Sequence, residues 1–457
     1  MAAEVAICGA GIAGISTAYH LAVARGLTDL VLIDERPPLS LTSDKSTECY
    51  RNWWPGPGDA MVAMMNRSID ILESLARAHG DPFNLTRRGY LFASAELTRI
   101  EEFRAQGREA AALGAGPLRE HTGAPGDPPY VPAPAAGFEG QPTGADLITD
   151  AGLIGQQFPY LSEATVAVLH ARRAGWFGAQ QLGQLMLETA RSAGIRFVTG
   201  TLDQVEQRNG RVQAVRLQTG QGPTRVAVRH FVNAAGPHLK RVAAMLGVEL
   251  PVFSELHAKI AFSDRLGAFP RSAPLLIWTD PQRLPWQESE RQLLEREPAS
   301  RHLLEEFPRG VHGRPDGPAD SPVVLLLWTY HTDPVEPSFP LQFDPQHAEI
   351  GLRGMATMVP KLRGYFEAPP KPFVDGGYYT KTRENRPLVG PLPIEGSWVI
   401  GALSGYGLMA SSACGELLAA HIGGGELPGY ARWFRLERYA DPEYQDMLAN
   451  WGRSGQL

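Results

Sequence analysis

Val5-Ala6-Ile7-Cys8 runs straight into Gly9-Ala10-Gly11-Ile12-Ala13-Gly14, and the reading of that junction decides the fold. The four apolar residues read as a buried strand, and the stretch from Ile15 to Arg25 reads as a helix. A strand that stops at three glycines and opens a helix turns backbone N–H groups, backed by the positive end of the helix dipole, toward a pyrophosphate. Gly9 permits the tight turn, Gly11 leaves room for the phosphate, and Gly14 lets helix approach strand. A second apolar run, Leu30-Val31-Leu32-Ile33, ends at Asp34, where a carboxylate accepts both ribose hydroxyls. The order of strand, loop, helix, strand and acid predicts a dinucleotide site. Because the carboxylate disfavours a 2′-phosphate, FAD or NAD fits better than NADP.

Bulk properties narrow the field. At 457 residues the chain is long enough for two or three domains. Its 43 basic and 49 acidic residues give a net charge of −6, with no basic run, which argues against a nucleic-acid partner. No apolar run reaches the length of a membrane span, and a strand beginning already at Glu4 leaves no room for a signal peptide. Cys8, Cys49 and Cys414 are far apart and odd in number. They make neither a disulfide framework nor a zinc ligand set, so no metal is expected and a cytoplasmic location suits them.

Along the chain, Thr42 to Glu48 and the following Cys49-Tyr50-Arg51-Asn52-Trp53-Trp54 form a hydroxyl- and aromatic-rich loop, placed either beneath the cofactor's far end or in solvent. Met61 to His79 and Ala179 to Ala193 read as amphipathic helices, and Gly89 to Ala93 and Ile195 to Val198 as strands. The Ala/Gly/Pro-rich region from Ala110 to Gly144 reads as connecting, lid-like structure. Arg211 to Leu217 and Val226 to Val228 alternate like a β-meander leading into the strand Phe231-Val232-Asn233. Ala258 to Phe262 and Val323 to His331 read as further strands, with a charged helix-like segment, Glu288 to Phe307, between them. Ser397-Trp398-Val399-Ile400, a glycine-rich turn to Gly407 and a helix from Leu408 to His421 repeat the strand–loop–helix pattern near the end.

Gly9 to Gly14 with Asp34, Val232-Asn-Ala-Ala-Gly236, and Arg386-Pro-Leu-Val-Gly390 followed by Gly401-Ala-Leu-Ser-Gly-Tyr-Gly-Leu408 together resemble the D-amino-acid oxidase and sarcosine oxidase family of FAD-dependent enzymes. The resemblance implies an α/β fold: a Rossmann-like, three-layer FAD-binding domain (1–88, 150–248 and 376–440) and a mixed or antiparallel β-sheet substrate domain (89–149 and 249–375), with a tail at 441–457. It assigns the ADP half of FAD to Gly9, Gly11, Ile12, Ala13, Gly14, Asp34, Glu35 and Arg36, with Leu202, Ala235 and Gly236. Ser43, Lys45, Ser46 and Thr47 fall on the loop beside the isoalloxazine, and Gly405, Tyr406, Gly407, Leu408 and Met409 on the turn facing its pyrimidine edge.

The departures bear on the substrate. Positions where relatives grip a carboxylate with arginine or lysine carry Cys49, Tyr379 and Met409, leaving Arg51 or Lys381 as replacements. His331, beside Tyr330, falls on a histidine resembling the sarcosine oxidases' active-site histidine, and is either functional or structural. The flavin-facing lysine of those enzymes falls on Leu327, leaving Lys259 or His257 to supply positive charge. The tethering positions carry Gly377 and Lys45, so FAD is expected to be non-covalent. The expected activity is oxidation of the C–N bond of an amine or amino-acid-like substrate, with dioxygen or another electron acceptor. A hydroxy-acid dehydrogenase and a flavin-binding subunit stay open as alternatives.

Overall fold

The computed structural model describes residues 1–451; the end of the expected tail, 452–457, lies outside the described residues. Eight strands form one sheet in the order Gly222–Ala227, Arg211–Thr219, Arg196–Arg208, Leu30–Asp34, Val5–Cys8, His230–Asn233, Ser397–Gly401 and Leu388–Pro391. The central strands run parallel, with Val5 opposite both Leu30 and His230. Their near-continuous apolar sequences follow from burial on both faces. Val5, Ile7, Leu30 and Leu32 face one core, packed by the helices Ile12–Tyr19, Ala179–Ser192 and Gly407–Gly423. Ala6, Val31, Ile33 and Phe231 face the other.

That second face is covered by the meander. Arg196–Arg208 continues ten residues beyond Val198, the end expected from its apolar run, and carries Leu202 and Val205 back over the sheet with Val212, Val215 and Leu217. Register shifts at Val212/Ala214 and Arg216/Leu217 bend the ribbon. The result is a three-layer unit.

The second sheet has nine strands, ordered Phe373–Lys381, Phe253–Ser263, Val323–Leu327, His312–Pro315, Leu275–Trp278, Tyr90–Ser94, Ala167–Ala171, Ala145–Ile148 and Leu118–His121. It is mixed: Leu275–Trp278 pairs parallel with Tyr90–Ser94, and Leu118–His121 parallel with Ala145–Ile148. It takes in Ala167–Ala171 and Phe373–Lys381, which reach into stretches expected with the first unit. The region 110–144, expected as lid-like, supplies the edge strand Leu118–His121, whose half-exposed Arg119 and Glu120 hid it from an apolar pattern. The helix Thr98–Ala110 also lacked a clear apolar stripe, burying Phe103 and Ala110 but exposing Glu101 and Glu102.

The expected strand from Val323 to His331 stops at Leu327. Alternation still sorts the residues beyond it: Leu327 and Thr329 face a large cavity, whereas Leu326 and Trp328 pack in the core of the opposite face. Among the described residues no helix is long and apolar enough to cross a membrane.

Candidate active site

Three hollows follow one another across the carboxyl ends of the parallel strands. The first, about 130 Å³, is lined by Gly9, Asp34, Glu35, Arg36 and Leu202. It shares Gly11, Ser43 and Gly236 with the second, about 90 Å³, which adds Ile12, Ala13, Ser46, Gly407 and Leu408. The second shares Tyr379 and Gly405 with a cavity of about 760 Å³ lined by Thr47, Arg51, Tyr406 and Met409. Ala235 lines the first hollow with Gly236.

Backbone geometry explains the slot. Gly9 holds φ +111°, and a Cβ there would stand 2.3 Å from the Ala234 carbonyl oxygen. A Cβ on Gly14 would stand 1.9 Å from the Gly9 carbonyl oxygen, so Gly14 serves helix–strand packing rather than the hollows themselves. The Ile12 N–H donates to Ser43 Oγ at 3.0 Å, which ties the start of the first helix to the Thr42–Glu48 loop across the slot. Asp34 accepts the Ala10 and Arg36 N–H groups at 2.7 and 2.9 Å. A carboxylate offers about four lone-pair sites, so two remain for ribose hydroxyls. At the other end Ala402 and Ser404 adopt φ +53° and +47°, and the helix Gly407–Gly423 begins without a side-chain cap. Its first residues, Gly407 and Leu408, line the second hollow, so the positive end of the helix dipole lies at the slot. These features fit FAD: an acid for ribose, helix starts for anionic groups, the later one without a side-chain cap, and a roomy end for the ring.

The loop from Thr42 to Glu48 is held from the second sheet. Thr42 Oγ1 donates to the Tyr378 carbonyl at 3.0 Å, and Lys45 pairs with Asp375 at 2.9 Å. Lys259 Nζ donates to the carbonyls of Asp44 and Ser46, and buried Arg314 to that of Thr47. Two expected site residues are thereby spoken for. Lys45 and Lys259 line none of the three hollows, because their ammonium groups are turned into this clamp.

Tyr330 and His331 are not brought to the cavity either. The strand ends before them; Tyr330 donates to Asp344 on the other face of the sheet, and the His331 side chain is 64% exposed, with Asp344 at 3.8 Å. The site instead brings Tyr379, an expected catalytic candidate, together with Glu255 and His312, which the sequence did not single out, and with His257 and Lys381, named only as reserves. Glu255 and His257 sit two apart on one strand face, His257 Nε2 lying 2.9 Å from Glu255. Tyr379 stacks on His257 at 4.0 Å between ring centroids, and Lys381 pairs with Glu255 at 2.8 Å. Buried His312 also lines the cavity; burial, with Arg51 nearby, lowers its pKa to about 4 and leaves it neutral. The alternation Phe253-Ser-Glu255-Leu-His257 was the available signal.

Arg51 is 5% exposed. Its guanidinium lies over Trp54 and Tyr90, at 4.8 and 5.5 Å from their ring centroids, and forms no ion pair with any acid among the described residues. Burial lowers its pKa. The C-terminal segment closes one wall: Tyr439, Leu448 and Trp451 line the cavity, with Arg386 over the Trp451 ring at 4.6 Å. Glu384 anchors this wall, accepting from Arg438, Tyr439 and Tyr444 at 2.7–2.8 Å.

A parallel-stranded α/β unit with such a slot, opening on a pocket built by a second sheet, defines a flavin-dependent oxidoreductase. The profile of the DAO family, FAD dependent oxidoreductase, matches residues 4–421, and the chain belongs to that family. Solved structures with the same fold include L-proline dehydrogenase from P. horikoshii, 17% identical with TM-score 0.73, covering 96% of this chain and 98% of that one. Glycine oxidase from Geobacillus kaustophilus is 15% identical with TM-score 0.70, over 95% and 98% of the two chains. Iminodiacetate oxidase from Chelativorans is 18% identical with TM-score 0.68, over 94% and 98%. Among curated proteins, the tRNA 5-methylaminomethyl-2-thiouridine biosynthesis bifunctional protein MnmC of Delftia acidovorans is 32% identical over 148 residues, 30% of this chain and 23% of that protein.

Proposed function

We propose that this chain oxidises the C–N bond of an amine that also carries a carboxylate, leaving an imine that water hydrolyses. The observation that carries the reading is Arg51, a buried guanidinium in the large cavity with no protein acid beside it. An unpaired buried charge is costly, and a substrate carboxylate gripped by two parallel hydrogen bonds relieves it. Lys381, the other reserve, is already neutralised by Glu255. The names of the structural neighbours, proline, glycine and iminodiacetate enzymes, are in keeping with an amino acid.

Bound FAD supplies the acceptor for the hydride, at its N5. Within the chain, Arg51 orients the substrate, Tyr406 and Tyr379 wall the cavity from water, and the start of Gly407–Gly423 directs its dipole toward developing negative charge. Leu327 lines the cavity where a lysine would assist dioxygen, which favours an acceptor other than dioxygen. A net charge of −6 does not favour an RNA substrate of the kind the MnmC relative's name describes. Three free thiols support a reducing, cytoplasmic setting. Anaerobic mixing of the FAD-loaded protein with a panel of amino acids, N-substituted amino acids, plain amines and hydroxy acids tests this. Bleaching of the flavin by carboxylate-bearing amines is expected; bleaching by hydroxy acids alone, or by nothing in the panel, overturns it.

A further inference from the structure

We propose that Thr329, His257 and Glu255 form a relay that takes a proton from the substrate nitrogen before oxidation. The proposal rests on the amine-oxidation reading, and concerns a step that reading leaves open: an amino acid arrives as an ammonium ion, whose nitrogen has no lone pair to assist loss of hydride from the adjacent carbon.

The hydrogen-bond directions in the cluster are fixed by chemistry. Burial alone would raise the Glu255 carboxyl, but hydrogen bonds from His257 and Lys381 outweigh it and hold the group ionised, as an acceptor only. The imidazole nitrogen facing it, Nε2, therefore carries the hydrogen. In neutral His257 that leaves Nδ1 as an acceptor, and Thr329 Oγ1 donates to it at 2.9 Å. The Thr329 oxygen then presents lone pairs and no hydrogen of its own to the cavity that Thr329 lines. Its remaining need is a donor, and a substrate ammonium is one.

The transfer balances. The substrate N–H bond breaks as a bond forms to Thr329 Oγ1; the original Thr329 O–H bond breaks as Nδ1–H forms. His257 becomes an imidazolium beside the Glu255 carboxylate, and the substrate becomes a neutral amine. No oxidant or reductant is consumed.

The groups around His257 set the working range. Burial lowers its pKa, the hydrogen bond to Glu255 opposes that, and Lys381 adds to the lowering. Tyr379 stacks on one ring face, and neutral His312 lies close enough to be perturbed by it. Lowered from the ordinary value, His257 is neutral at pH 7 and free to accept, and it becomes blocked only in acid. His257 is thus a positioning and proton-holding residue, while Thr329 is the group that touches substrate.

Two measurements test this on the FAD-loaded protein. The first is the anaerobic rate of flavin bleaching against pH for His257→Gln and Thr329→Val. Both should lose about 100-fold near neutrality, the lower end of what a positioned acid–base group contributes. They should recover to within a few-fold of the parent once pH exceeds the substrate's own amine pKa, and Thr329→Ser should rescue the limb that Thr329→Val loses. A deficit equal at all pH values overturns the relay while leaving the amine reading intact, since the parent still bleaches. The second is 15N NMR of labelled histidine in the parent. The Nε2–H tautomer is expected; an Nδ1–H tautomer would reverse the hydrogen bond to Thr329 and end the proposal.

Discussion

Replacing Arg51 by methionine separates the two costs a buried guanidinium carries. Hydrogen bonds to a charged partner contribute about 1.5–3 kcal/mol each, so the two to a substrate carboxylate give roughly 3–4 kcal/mol after overlap. At about 1.4 kcal/mol per tenfold, kcat/KM should fall roughly 140- to 700-fold. Stability should move the other way or not at all. Arg51 is buried without a protein acid, so removing it strands no carboxylate, and an apolar side chain of similar length relieves an uncompensated charge. Loss of the contacts over Trp54 and Tyr90 offsets part of that gain. The assay pairs anaerobic bleaching kinetics with thermal unfolding, using each amino acid and its methyl ester. The parent should discriminate against the ester by the factor that the variant loses on the acid, and the variant should treat acid and ester nearly alike. A variant that melts far below the parent, or that keeps the parent's preference for the acid, refutes the assignment.

Other expectations follow from single contacts. A Cβ on Gly415 would stand 2.3 Å from Ser16 Oγ, so Gly415→Val should push apart the two helices whose starts border the slot. It should cost about 1–3 kcal/mol in urea unfolding and weaken FAD binding in a flavin titration. Asp146 would be raised by burial, but Arg119, His121 and Arg172 hold it at about 2. A depressed carboxyl contributes stability that is full above its unfolded value near 4 and fades as pH falls toward 2, on the order of 2 kcal/mol here. The stability gap between parent and Asp146→Asn should accordingly be constant above about pH 5 and narrow in acid. Trp451→Ala removes part of the C-terminal wall and should relax discrimination among substrates differing in distal bulk by about 1–3 kcal/mol in relative kcat/KM, leaving that for the smallest unchanged. Acid precipitation should release all flavin into the supernatant, because Gly377 and Lys45 offer no tethering thiol or imidazole.

How much was legible in the sequence depended on how local the signal was. The glycine turn, Asp34 and the closing turn before Gly407 were readable because each is a short contiguous pattern with one physical job. Lys45 and Lys259 turn away from the hollows for a reason no local pattern carries: which way a lysine reaches depends on Asp375 and on loop carbonyls hundreds of residues away. Tyr330 and His331 lie outside the large cavity because of a strand end, and the apolar run gave no sign that pairing stops at Leu327. Glu255 was hidden by being an ordinary polar residue, and His257 was named only as a source of positive charge, because their partners, Thr329 and Lys381, come from two other segments.

The clamp on the loop from Thr42 to Glu48 makes ownership of the site ambiguous in a useful way. The loop is encoded beside the glycine turn, yet Tyr378, Asp375, Lys259 and Arg314 fix its course. Grafting the first fifty residues onto another parallel sheet would therefore transplant the nucleotide grip without the floor for the ring. Redesign of this enzyme has to treat the two sheets as a single inheritance.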